Sequence, residues 1–131
     1  MGKLIRVLIA STLPVIREGL AEAVAREPNM LVVAVVSALR EIPFACQEHR
    51  PDACVIDLML DEDDLQSVRD IHRACTPATV VVLTSDFAVG EALESTLGGK
   101  IVFVSKAVST ASMLQAVREA ASATLKPYPS T

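Results

Sequence analysis

Aromatic side chains are scarce in this chain, with no tryptophan, one tyrosine and three phenylalanines making an aromatic content of 3%. Because 51% of the 131 residues are nonetheless hydrophobic, the core must be built from Val, Leu, Ile and Ala. Such aliphatic composition suits a parallel sheet buried on both faces. No apolar run approaches the roughly 20 residues that cross a bilayer, and the N-terminus lacks the basic, apolar and small-residue regions of a secretory leader. A cytoplasmic protein that does not engage a membrane is expected. Positive charge is also short: 12 Lys and Arg against 16 Asp and Glu leave a net charge of −4. That balance argues against direct contact with nucleic acid, so DNA binding would need a separate domain. Three cysteines, Cys46, Cys54 and Cys75, are odd in number and have no metal-binding spacing, and all three are expected as reduced thiols. There is no glycine-rich phosphate loop, nucleophile elbow or paired acid–base signature, so no enzymatic activity is expected. His49 and His72 have no convergent acid or cysteine spacing and are expected on the surface or on helix flanks.

What is present is an alternation of strand-like apolar runs with helical periodicity. Strands are predicted at about Leu4 to Ala10, Leu31 to Val36, Ala53 to Asp57, Thr79 to Thr84 and Ile101 to Val104. The first helix, from about Pro14 to Arg26, has Ile16, Leu20 and Val24 four apart on one face, and Pro14 suits its first turn. A second is expected near Arg40 to His49, with Pro43 at its start. A third, from about Leu65 to Ala74, presents Leu65, Val68 and Ile71 or His72 to the sheet. A fourth, near Val89 to Leu97, stops at Gly98 and Gly99. The fifth begins after Ser109, directs Met113 or Leu114, Val117 and Ala121 inward, and has further alanines, including Ala116, Ala120 and Ala123, suited to self-association.

Five βα units with right-handed crossovers predict a flavodoxin-like (βα)5 three-layer sandwich with parallel strand order 2-1-3-4-5. Residues 1–124 form this domain, and 125–131, with two prolines, read as a linker or tail to which a further domain could be attached. Open sheets of this kind place their sites at the carboxyl ends of the strands. The order sets the ends of strands one and three side by side, so Asp57 should meet Ser11 and Thr12 there.

The stretches Ile5-Arg-Val-Leu-Ile-Ala10, Pro14-Val-Ile-Arg-Glu-Gly-Leu20, Arg50-Pro-Asp, Val55-Ile-Asp-Leu-Met-Leu60, Val80-Val-Val-Leu-Thr-Ser85 and Phe103-Val-Ser-Lys106 occur in order over Ile5 to about Ala121. In these the chain resembles the receiver domains of bacterial two-component response regulators. The likeness is strongest to the NarL/LuxR type, whose receiver precedes a helix-turn-helix DNA-binding domain. The resemblance implies that Asp57 is the phosphoacceptor, Thr84 the hydroxyl that turns toward phosphate, Phe103 the aromatic that swings with it, and Lys106 the cation pairing with phosphate. Phosphoryl transfer calls for such groups: a nucleophilic carboxylate, positive charge over the equatorial oxygens and a hydrogen-bond donor.

The metal site that the resemblance implies is degenerate. In the family, two acids after strand one join the phosphoacceptor and the carbonyl of the residue at Met59 in holding magnesium, and here the acids are Ser11 and Thr12. Neutral hydroxyls bring no charge to offset the dehydration of magnesium, so its binding is expected to be weak or absent. No other cofactor is expected. The loop after Asp57, with Asp61-Glu-Asp-Asp64, also departs from the family pattern and has no glycine. Ser11 or Thr12 could instead cap the first helix, a contribution of about 1 kcal/mol. Asp57 could persist as a scaffold carboxylate paired with Lys106.

The expected function is an atypical receiver that controls a transcription regulator through dimerisation or interdomain contacts, independent of conventional phosphorylation. Its expected partners are a second copy of itself and a sensor kinase, another protein or a small-molecule effector. The alternatives are a conventional receiver phosphorylated on Asp57 by a histidine kinase, with Asp63 or another loop acid replacing the lost ligands, and a flavodoxin-like small-ligand protein with no regulatory output.

Overall fold

A computed structural model describes residues 4–57, 62–75, 78–84, 101–105 and 110–125. Continuous apolar runs form strands because both of their faces are covered. They are β1 (Ile5–Ala10), β2 (Met30–Val36), β3 (Ala53–Asp57), β4 (Thr79–Thr84) and β5 (Ile101–Ser105), interleaved with α1 (Pro14–Ala25), α2 (Ile42–His49) and α3 (Glu62–Ala74) and followed by α4 (Thr110–Leu125). A single 3₁₀ turn, Leu39–Glu41, leads into α2. It lets Pro43 fall in the first turn of α2, where a missing N–H costs nothing.

The strands pair in parallel in the order β2-β1-β3-β4-β5, which is the flavodoxin-like arrangement. Side chains alternate between two cores. Leu8, Cys54, Ile56, Val80 and Val82 face α2 and α3, where they meet Ile42, Cys46, Val68 and Ile71. Val7, Ile9, Val55, Val81 and Leu83 face the other way, toward Val24 of α1 and Met113, Leu114, Val117 and Ala121 of α4. Arg118 of α4 pairs with Glu27, just beyond α1.

The predicted helix near Val89 to Leu97, its glycine stop and the cap at Ser109 lie outside the described residues. Elsewhere the structure departs from expectation in three ways. Ile16 is 38% exposed, because the first turn of α1 begins at the rim of the sheet, past the last residue of β1; only from Leu20 onward does the helix lie over the core. Ala116 of α4, expected on a face for self-association, is partly buried against the core that holds Val117 and Ala121. Cys46 and Cys75 are not free thiols but form a disulfide with a Cα–Cα distance of 5.5 Å. Packing of α2 and α3 on the same face of the sheet brings them within ordinary bridging range. Cys54 remains a free, fully buried thiol whose pKa is pushed up to about 12 by burial.

Candidate functional site

The register of the sheet builds the site. Ala10 of β1 lies beside Ile56 of β3, so the next residues, Ser11 and Asp57, leave the sheet as neighbours. Asp57 is paired with Leu83 of β4, which places Thr84 one step further along the same edge, itself paired with Ser105 of β5. Ser11, Asp57 and Thr84 are all buried, at 2%, 4% and 4% exposure. Three polar side chains from three adjacent strands thus collect at the carboxyl edge of an otherwise aliphatic sheet.

Ser11 is anchored through its hydroxyl and through both of its backbone polar groups. Its Oγ donates to Asp57 Oδ2 at 2.9 Å and accepts from the Leu13 N–H at 3.1 Å. Its own N–H donates to the Val36 carbonyl at 3.3 Å, and its carbonyl accepts from the Arg17 guanidinium at 3.0 Å. The turn between β1 and α1 is therefore fixed from four directions. The first helix is not capped by either hydroxyl: Leu13 occupies the N-cap position without a side-chain cap, and the bond from Leu13 to Ser11 closes the turn just before it. Thr12 is exposed.

The other predicted positions are placed by backbone only or lie outside the description. Phe103 stands in β5 beside Val82 by register, short of the rim. Lys106 and Met59 lie outside the described residues, as do all of residues 58–61. His49 sits at the end of α2 beside Glu48, at 3.5 Å, and His72 is half-buried on α3.

Sequence reading missed Arg17. Its signal was available: a basic residue in the first turn of α1, where no acid is present to neutralise it. It also missed the convergence of Cys46, Cys54 and Cys75, whose positions on α2, β3 and the end of α3 cannot be related until the two helices are packed together. Chemically, the described part of the rim presents a carboxylate, Asp57, that accepts a hydrogen bond from a neutral hydroxyl.

Comparison with known proteins bears on this geometry. Residues 7–118 match the response regulator receiver domain family. A protein-glutamate methylesterase/protein-glutamine glutaminase of Pseudomonas putida is 35% identical over 82 residues, which is 62% of this chain and 24% of that protein. The DNA-binding transcriptional activator DevR/DosR of Mycobacterium tuberculosis is 24% identical over 117 residues, 88% of this chain and 54% of that protein. This chain therefore spans about a quarter and about half of these two curated relatives. Among solved structures, a LuxR-family two-component response regulator from an Aurantimonas species superposes with a TM-score of 0.79 at 23% identity, covering 92% of this chain and 87% of the other.

Proposed function

Because this chain belongs to the response regulator receiver domain family, we propose that it acts as an atypical receiver, one that controls a transcription regulator through dimerisation or interdomain contacts without magnesium-dependent phosphorylation of Asp57. The observation that carries this reading is the 2.9 Å hydrogen bond from Ser11 Oγ to Asp57 Oδ2. A receiver that uses magnesium needs a second carboxylate at this turn, and the cation then holds the two acids together. Here a neutral donor takes up the carboxylate oxygen directly, and Thr12 faces solvent. Hydroxyls lend no charge against the dehydration of magnesium, so Ser11 and Thr12 do not fit that ion.

Under this reading Asp57 and Thr84 persist as the buried polar framework of the rim, with Asp57 held by Ser11 instead of by metal. The bias that phosphate ordinarily supplies to a two-state receiver comes instead from a protein or small-molecule effector, or the domain is held constitutively in one state. The domain itself turns over no substrate. It works in the cytoplasm, and its DNA contact is made by a separate domain joined through residues 125–131, an arrangement consistent with the DNA-binding character of the longer DevR/DosR relative. Self-association falls on the start of α1, where Leu13, Val15 and Ile16 are 41%, 81% and 38% exposed, since neighbouring exposed apolar side chains mark contact sites.

Amide NMR spectra of the chain, titrated first with magnesium and then with beryllium fluoride as a mimic of aspartyl phosphate, test the reading. No shift around Asp57 and Thr84 at millimolar magnesium is expected. Shifts that need both additions would instead establish the conventional receiver phosphorylated on Asp57 by a histidine kinase.

A further inference from the structure

At the end of β3 remote from Asp57, three sulfur atoms meet. The Sγ atoms of Cys46, Cys54 and Cys75 all lie within 4.8 Å of one another, and Cys54 Sγ is 3.5 Å from Cys46 Sγ. All three residues are buried. A cavity of about 480 Å³ bordered by Arg50, Pro51 and Asp52 also reaches Cys46 and Cys75, giving a route from solvent.

Two chemistries compete for such a cluster. In an internal thiol–disulfide exchange, Cys54 would approach along the axis of the Cys46–Cys75 bond. Cys54 instead lies within 4.8 Å of both bonded sulfurs, flanking the bond as the third corner of a triangle. A triangle of sulfurs suits a single soft ion held by all three.

Charge selects among soft ions. On its inner side the cluster is packed by apolar residues, among them Leu8, Ala45, Ile71 and Ala78, and at the cavity Arg50 and Asp52 carry opposite charges that together add none. Three thiolates around a monovalent ion such as Cu(I) would leave two negative charges in this surrounding, and around zinc they would leave one. Uncompensated buried charge is costly. A trivalent ion leaves none.

We propose that the reduced cluster Cys46–Cys54–Cys75 is a binding site for one trivalent thiophilic ion of the arsenic and antimony class. A dithiol or phosphine reductant first donates two electrons to the Cys46–Cys75 bond, and each sulfur takes up a proton. Arsenous acid, a small neutral molecule able to enter the cavity, then exchanges its three hydroxyls for three sulfurs. Three As–O and three S–H bonds break, three As–S bonds form, and three waters leave. Arsenic stays trivalent, no net charge is buried, and the disulfide form of the protein is closed to the ion.

The test uses the full 131-residue chain, reduced with a phosphine, freed of reductant without air and titrated with sodium arsenite. Native mass spectrometry should find one arsenic per chain, and arsenic X-ray absorption should find three sulfur neighbours. The oxidised chain should bind none. The reduced chain unfolded in urea should bind about tenfold or more weakly, since its thiols are not held together, and Cys54→Ala should weaken binding by at least a similar factor. Two sulfurs and one oxygen around arsenic in the wild-type protein, binding by the oxidised form, or folded and unfolded chains of equal affinity would each overturn the proposal. Because the sulfur count is made on the wild-type chain, the result stands even if Cys54→Ala does not fold.

Discussion

Arg6 and Asp52 clasp each other across the seam between β1 and β3. The Arg6 N–H donates to Asp52 Oδ2 at 2.9 Å, and the Asp52 N–H donates to the Arg6 carbonyl at 2.7 Å. The Asp52 carbonyl also accepts from the Thr79 N–H at the start of β4, at 3.1 Å, while the Arg6 guanidinium donates to the His49 carbonyl at 2.6 Å. Two residues at the amino ends of the strands thus align three strands and the exit of α2. The positive φ of Arg50, 46°, ends α2 and turns the chain into this clasp.

Replacing Asp52 by Ala removes the acceptor for the Arg6 N–H and leaves the remaining backbone bonds in place. A loss of about 1–2 kcal/mol is expected, seen as a lower urea midpoint with an unchanged slope.

Ser11→Ala takes away the partner of the Leu13 N–H and the donor to Asp57 together. Destabilisation of about 1–3 kcal/mol should result, measured by chemical denaturation. It should also free the turn before α1, with faster exchange of the Leu13 amide.

The pair Ser11→Asp and Thr12→Asp supplies the carboxylates that magnesium needs. In the absence of metal, like charges at the rim should make this double variant less stable than the wild type. With millimolar magnesium its melting temperature should rise, whereas that of the wild type should stay where it is. A wild-type chain stabilised equally by magnesium would contradict the replacement of the cation by the Ser11 hydroxyl.

Reducing the Cys46–Cys75 bond releases a constraint on residues 29 apart in sequence. The chain-entropy estimate for a loop of that size is about 3–4 kcal/mol, so thermal unfolding with and without reductant should differ by on the order of 10 °C. Cys46→Ala should match the reduced protein to within the cost of the lost side chain.

Alkaline pH should destabilise the oxidised protein through Cys54. Its pKa is raised from 9.0 to about 12 by burial, so between these values the folded state retains a proton that the unfolded state has released. Stability is fully present below pH 9.0 and falls as pH rises toward 12. Denaturant midpoints measured across this window should fall, and Cys54→Ala should remove that part of the slope.

Much of this arrangement could be read before any coordinates. β3 and β4 begin and end where predicted because a strand covered on both faces leaves an unbroken apolar run with sharp polar ends, here Asp57 and Thr84. The strand order followed from chain connectivity, and with it the meeting of Ser11 and Asp57. What could not be read was direction and distance. Helical spacing grouped Ile16 with Leu20 and Val24, but it carries no information on where the sheet stops beneath the helix. The hydrogen bond between Ser11 and Asp57 depends on one rotamer inside a turn that Arg17 and Val36 hold from outside. Cys46 and Cys75 carry no sequence mark of their bond, since their closeness is a product of α2 and α3 sharing a face.

The disulfide lies wholly on the α2–α3 side, and this divides the molecule into halves of unequal persistence. If packing loosens there, α2 and α3 remain leashed to each other and return to the same place. Across the sheet, α1 and α4 are held by apolar contact and by the pair between Arg118 and Glu27, with nothing covalent to limit how far they part. Reducing the disulfide therefore removes a cross-link from the α2–α3 layer and leaves the bonds that hold the α1–α4 layer as they were.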